Sequence, residues 1–327
     1  MTWILRHREI ALAGLIIVMV FGIGLYAPAF ATLASLTGVL NDAAFLIMLA
    51  IGQTIVILTR GIDLSVAANL ALTGMLVALV GQYGPDLPAL IYVVMGILIG
   101  ACLGAIIGGL VGGLGIPPIV VTLGALAIYR GMIVVIGGGD QVNASEMGNR
   151  FQAFPKLELF GLTAPVWIAV LVALAAWLFM RRTRIGRSIY AVGGNPVAAS
   201  YCGIGVRRIE GLVYVISGGI AGMCGYLWVA RYGVAYSEIA LGYELTVIAA
   251  CVIGGVSIAG GVGSVAGAVL GALFLGVVVN ALPVMQISPF WQMAISGAVI
   301  LAAVVLNARS EVRPGKLILP EARRDGS

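Results

Sequence analysis

The sequence predicts an all-α, polytopic membrane protein, and three observations carry that expectation. Of 327 residues, 61% are hydrophobic and only 9% charged, with a mean hydropathy of +1.12. A soluble domain has about 25% charged residues, so this chain could not cover a water-facing surface. Apolar runs of about 20 residues, one bilayer crossing each, recur throughout. They are continuous, whereas membrane barrel strands alternate polar and apolar residues in short segments. Finally, there are 47 glycines. Small residues let membrane helices approach closely where no hydrophobic effect drives them together.

The spans follow in order. The basic start MTWILRHREI precedes an apolar run from Ile10 to Phe30. The string APAFA looks a little like a cleavage site, but the run exceeds the roughly 7–15 residues of a signal-peptide core. An uncleaved first span with a cytoplasmic N-terminus is expected. Ala43–Thr59 and Ser65–Val80 come next, then a polar turn, Ala89–Val111 and Ile119–Ile136. A loop of mixed charge over 137–162 leads to Thr163–Met180. After the arginine-rich stretch 181–208 come Ile209–Ala230, Tyr243–Ile258, Val262–Leu282 and Phe290–Asn307. About ten spans put both 181–208 and the tail 308–327 inside and the 137–162 loop outside, as the positive-inside rule requires. The net charge of +5 therefore marks orientation before nucleic-acid binding.

One polar cluster falls within apolar sequence. GQTIVILTRGIDLSVAANLALTG holds Gln53, Arg60, Asp63, Ser65 and Asn69. A charge near the bilayer centre costs at least about 2.5 kcal/mol and faces a cavity or a partner. Gly61 suggests an interrupted helix, tolerated where it lines a pathway. A membrane-surface turn is the other reading, and for Arg60 the preferred one; Asp63 then caps the next helix. Residues 57–75 and 252–270 echo each other, each breaking at glycine and resuming in small residues. Chance from composition and a transporter repeat both explain that echo. Arg130 is expected to snorkel to the interface. Glu244 suits a helix start. Trp228, Tyr232, Tyr236 and Trp291 suit an interfacial belt.

The stretch 181–208 carries Arg181, Arg182, Arg184, Arg187, Arg207 and Arg208 and no acid between them. Within it, Asn195 can cap a helix. Pro196 fits the first helical position, and Gly203 suits a left-handed stop. A helix of about seven residues is roughly 10 Å long and marginal alone in water. It needs something to pack against.

Other chemistry is not indicated. No P-loop motif is present. Cys102, Cys202, Cys224 and Cys251 lack metal-ligand spacing and suit small packing positions. The one histidine, His7, lies in the basic N-terminus, and no credible Ser/His/Asp set is present. No catalytic, metal or cofactor site is expected in this chain, and no nucleic-acid partner.

Four stretches in order resemble the permease subunits of ribose-type sugar ABC importers over nearly the whole chain. They are GQTIVILTRGIDLSVAANLALTG, GIPPIVVTLGALAIYRG, GRSIYAVGGNPVAASYCGIGV and GYELTVIAACVIGGVSIAGGVGSVAGAVLGALFLGVVVNAL. YLWVARYGVAYSEIA and ISPFWQMAISGA look most like the L-rhamnose permeases, and ILTRGIDLSV is also similar to the autoinducer-2 permeases. Many ribose-type members read GGIDLSVGS where this chain reads RGIDLSVAA.

The resemblance implies a type II importer fold and a single permease domain over 1–327. It implies a second permease subunit, identical or not, in a bacterial inner membrane. It also implies a cytoplasmic ATPase that binds ATP and Mg, and a periplasmic sugar-binding protein. Residues 181–208 then form the coupling loop, with Asn195, Pro196, Ala198 and Ala199 at the ATPase contact. Gln53, Asp63, Ser65 and Asn69 are expected near the translocation path. The expected substrate is a monosaccharide, L-rhamnose first, moved by alternating access. The alternatives are an autoinducer-2 or other polyol permease, a stand-alone secondary transporter or channel, and a membrane scaffold.

Overall fold

The computed structural model describes residues 8–84 and 86–288, together with 291, 294–295, 297–298 and 301. Twelve helices are described: α1 Arg8–Tyr26, α2 Leu33–Leu58, α3 Val66–Tyr83, α4 Ala89–Gly108, α5 Pro118–Gly137, α6 Asn149–Lys156, α7 Ala164–Arg182, α8 Arg184–Gly194, α9 Pro196–Tyr201, α10 Val206–Tyr232, α11 Tyr243–Ile253 and α12 Val265–Val284. A π-turn at Gly109–Gly113 extends α4. Among the described residues eight helices are long and apolar enough to cross a membrane: α1, α2, α3, α4 with its π-turn, α5, α7, α10 and α12. The expected eighth span, Tyr243–Ile258, shortens to α11, an 11-residue helix. At 1.5 Å per residue it covers about half of a 30 Å bilayer core. An irregular stretch, 254–264, continues from it to α12. The expected span Phe290–Asn307 and the tail 308–327 lie outside the described residues, those few positions apart.

Helices α2, α3 and α10 form the centre. Of the apolar window of α10, 72% is buried, against 22% for α5, so α5 stands at the rim. The α4–α10 interface is built on glycine. Gly96, Gly100, Gly104 and Gly108 recur every fourth position and so lie on one helix face. A Cβ on Gly100 would stand 2.2 Å from the Gly218 carbonyl oxygen, and one on Gly218 would stand 2.3 Å from that of Gly100. The two backbones touch, and no side chain fits between them.

The loop between α5 and α7 is more ordered than its composition suggests. Val142–Asn143 (β1) pairs with Val234–Ala235 (β4), and Glu158–Leu159 (β2) with Leu162–Thr163 (β3). Phe151 on α6 is fully buried, with its ring 4.9 Å from Tyr92 and 5.1 Å from Tyr226. The Tyr226 hydroxyl donates to the Phe151 carbonyl at 3.0 Å. This aromatic cluster holds the loop against α4 and α10.

Two interfacial expectations change. Arg130 does not snorkel; it donates to the carbonyls of Ser237, Ile239 and Ala240, the middle bond at 2.7 Å. It thereby ties the turn before α11 to α5, and those carbonyls gain a charged donor. Trp228 packs edge-on against Phe45 at 5.0 Å and against Tyr243 at 5.6 Å, inside the helix bundle. Tyr232, Tyr236 and Trp291 keep exposed faces, as a belt requires.

Candidate functional site

The chain breaks between α2 and α3, over residues 59–65. Because α2 and α3 are each long enough to cross the bilayer, this is a turn between two spans; Arg60 in it is exposed, whereas Asp63 and Ser65 are buried and their polar groups need internal partners. Asp63 Oδ1 accepts from the Ser65 amide at 2.9 Å and from Ser65 Oγ at 2.6 Å. Gln53, one and a half turns from the end of α2, bridges the backbone of Asp63. With its amide oriented to match donor to acceptor, its nitrogen donates to Asp63 O at 3.2 Å and its oxygen accepts from Asp63 N at 3.1 Å. The Thr122 hydroxyl on α5 shares its proton between the Pro118 carbonyl at 2.9 Å and the Ile62 carbonyl at 3.1 Å. Asn69 donates from Nδ2 to the Gly100 carbonyl at 3.2 Å, and Thr73 donates to Asn69 Oδ1.

The structure therefore brings Gln53, Asp63 and Ser65 into one network and sets Asn69 a turn further along α3. All four are buried within this single chain. The left-handed residue is Arg60, with φ 68°, and not Gly61. Gly61 is needed for space: a Cβ there would stand 2.4 Å from the Tyr214 hydroxyl.

The second part of the site is the loop after α7. Arg181 and Arg182 end α7. Thr183 then caps α8, its Oγ1 accepting from the Gly186 amide at 2.9 Å. Helix α8 buries Ile189 and Val192 and was not foreseen from the sequence. Its signal was present in a capping threonine ahead of Ile185, Ile189 and Val192, spaced four and three apart. Asn195 caps α9 by accepting from the Ala198 amide at 3.0 Å, with Pro196 in the first turn. At the other end Gly203 has φ 79°, its amide bonds to Ser200 O at 2.9 Å, and the Ile204 amide bonds to Ala199 O at 3.0 Å. This is the six-to-one and five-to-two pattern of a left-handed helix stop.

Helix α9 has two faces. Ala199 is buried and seats it on the body; Val197, Ala198 and Tyr201 are exposed, Tyr201 by 88%. An open groove of about 710 Å³ runs beside α9, bordered by Pro196, Tyr201, Arg207 and Glu210.

The two parts meet. Arg60 Nε donates to the Gly193 carbonyl at 2.8 Å and Nη2 to the Gly194 carbonyl at 2.9 Å. A second break, 254–264, arrives at the same place, where the Gly261 amide donates to the Leu58 carbonyl at 3.0 Å. The Tyr190 hydroxyl on α8 donates to the Gly263 carbonyl at 3.0 Å. Thus the two segments that echo each other in sequence are adjacent in space. At the far end of the bundle, Arg231 pairs with Asp42 at 3.1 Å. Neither Thr122 nor this pair was picked out from the sequence; each is a polar residue inside or beside an apolar run, the signal that singled out Gln53. Among the described residues no group of histidine, cysteine, aspartate and glutamate could hold a metal.

Known proteins place this geometry. The family described as "Branched-chain amino acid transport system / permease component" matches residues 35–304. The ribose import permease protein of Escherichia coli K12 is 36% identical, covering 94% of this chain and 95% of that protein. The D-allose transport system permease protein of the same strain is 38% identical, covering 89% of this chain and 88% of that protein. The autoinducer 2 import system permease protein of Escherichia coli O9:H4 is 35% identical over 94% of this chain and 89% of that protein. No solved structure matches the chain. A buried polar turn between two spans, joined to a capped loop helix with an exposed face, in a chain that aligns over 94% of its length with such a relative, leaves one assignment: the chain belongs to the permease family of ABC importers and is a multi-pass transport subunit.

Proposed function

We propose that this chain is the permease subunit of an ABC importer for a monosaccharide, with L-rhamnose as the sugar. The observation that carries the transport reading is the joint between the α2–α3 turn and the capped helix α9. A short helix with an exposed apolar face stands where a second subunit can grip it. The sugar class rests on relatives whose names specify ribose and D-allose. L-rhamnose rests on the look of the stretches 226–240 and 287–298. The autoinducer 2 relative keeps that ligand as the second reading.

In this reading residues 1–327 are one permease domain with both termini cytoplasmic. It pairs with a second permease subunit, a cytoplasmic ATPase and a sugar-binding protein. Residues 181–208 are the coupling loop. Asn195 and Pro196 start the coupling helix, Ala198 faces the ATPase, and Ala199 seats the helix on the body. Gln53, Asp63, Ser65 and Asn69 act beside the translocation path. Being buried, they shape it by fixing the course of the α2–α3 turn and the start of α3.

The test is reconstitution with the cognate ATPase and binding protein in liposomes. L-rhamnose should stimulate ATP hydrolysis and accumulate inside. Stimulation by autoinducer 2 alone would replace the sugar but keep the permease. Robust flux through the chain alone, without ATPase, would overturn the importer reading. Asn195→Ala combined with Pro196→Gly should reduce ATPase association while membrane insertion stays intact.

A further inference from the structure

At one point three backbones meet with no side chain between them. A Cβ on Gly193 would stand 1.7 Å from the Leu58 carbonyl oxygen and 2.5 Å from the Gly261 amide nitrogen. These are the end of α2, the end of α8 and the second break. Bare backbone contact of this kind transmits displacement, since no flexible side chain can absorb it. One long side chain crosses the junction. Arg60 leaves α2 in the left-handed region, at φ 68°, where a side chain is disfavoured and glycine would be free of cost. Its guanidinium holds both Gly193 O and Gly194 O, at 2.8 and 2.9 Å. The next residue, Asn195, is the cap of α9. An observed backbone outlier persists where surrounding structure holds it, and it motivates a functional hypothesis. Here the holding contacts are the two carbonyls immediately before the coupling helix.

We propose that Arg60 is a positioning residue: a strut that carries movement of helix α9 into the turn between α2 and α3, residues 59–65. A guanidinium bound through two of its N–H groups fixes orientation as well as distance, which one ammonium cannot do. When α9 shifts, the carbonyls of Gly193 and Gly194 shift with it. Arg60 follows, and with it Gly61, Ile62 and the Asp63–Ser65 turn that starts α3. The Tyr190 bond to Gly263 links α8, the helix that ends at Gly193 and Gly194, to the second break, so both breaks are tied to the segment that leads into α9. The strut rests on the reading of 181–208 as the coupling loop.

The experiment uses the full complex of permease, ATPase and binding protein in nanodiscs. Hydrogen exchange is followed at 59–65 and at 194–205, with and without ATP plus vanadate, and needs no knowledge of the transported sugar. In the unaltered protein both segments should change on vanadate trapping. Arg60→Gly relieves the backbone and removes the fork. It should keep the change at 194–205 while that at 59–65 falls at least about fivefold, the low end of usual coupling effects. Arg60→Met keeps a long unbranched stem but has no N–H donor for either carbonyl, and should lose the change at 59–65 as well. If Arg60→Gly does not assemble, Arg60→Met decides. A full response at 59–65 in these variants overturns the strut and leaves the coupling loop standing. No response at 194–205 in the unaltered complex overturns the coupling reading and the strut together.

Discussion

The two breaks in the bundle solve one problem in opposite ways. Between α2 and α3 the amides of Thr59, Arg60 and Gly61 turn back onto Val56 O and Ile57 O, and beyond them side chains take over: Gln53, Asp63 and Ser65 bond within or into residues 62–65. Between α11 and α12 the backbone largely satisfies itself. The Ser257 amide bonds to Val262 O at 2.9 Å, and the Gly261 amide to Leu58 O at 3.0 Å. Gly255, Gly260, Gly261 and Gly263 all have positive φ there. Membrane burial demands internal partners for every backbone group. One break brings polar side chains to the backbone; the other removes side chains so that backbone reaches backbone. The first is sensitive to lost hydrogen bonds, the second to added atoms.

That contrast can be broken most sharply at Gly254. A Cβ there would stand 2.2 Å from the Gly267 carbonyl oxygen, with the reverse contact at 2.1 Å. Gly254→Val should lower stability by about 3 kcal/mol, the upper end of overpacking costs. The readout is the thermal midpoint of the purified permease in detergent; a variant as stable as the parent ends the steric account of the second break. Asp63→Ala should cost about 2 kcal/mol by leaving buried donors of Ser65 unpaired. Asp63→Asn keeps an acceptor and should cost less. Equal losses from the two, measured in the same assay, would remove the hydrogen-bond account of the first break. The smallest effect is expected at Ser264, whose Oγ accepts from the Gly267 amide at 2.9 Å and caps α12. Ser264→Ala should cost about 1 kcal/mol. A larger loss would show that the second break also depends on side-chain polarity, narrowing the contrast.

Much of this was legible in the chain. Long apolar runs predict membrane helices because the bilayer imposes a length on each crossing. The capped helix α9 was legible because Asn195, Pro196 and Gly203 are local signals, read one turn at a time. The contrast with α11 is instructive. Tyr243–Ile258 is apolar enough to span, but Gly254 and Gly255 stop the helix at Ile253, where the closeness of α12 leaves no room for a Cβ. Apolarity measures the environment; it does not count helical turns. Trp228 and Arg130 misled for a related reason. Their positions near span ends suit an interface, but their partners, Phe45 and the 237–240 carbonyls, come from distant sequence.

By itself the sequence determined the class of protein, most of its spans and the two segments worth inspecting. Those follow from composition and local pattern, which act over a turn or a span. Only the tertiary structure decided that the segments meet. Leu58, Gly193 and Gly261 are far apart in the chain, and their glycines look like any others in a sequence with 47 of them. Their meaning is a distance between backbones, and it exists only once the helices have packed. The same holds for Arg60: its charge was visible at once, and its two carbonyl partners were not.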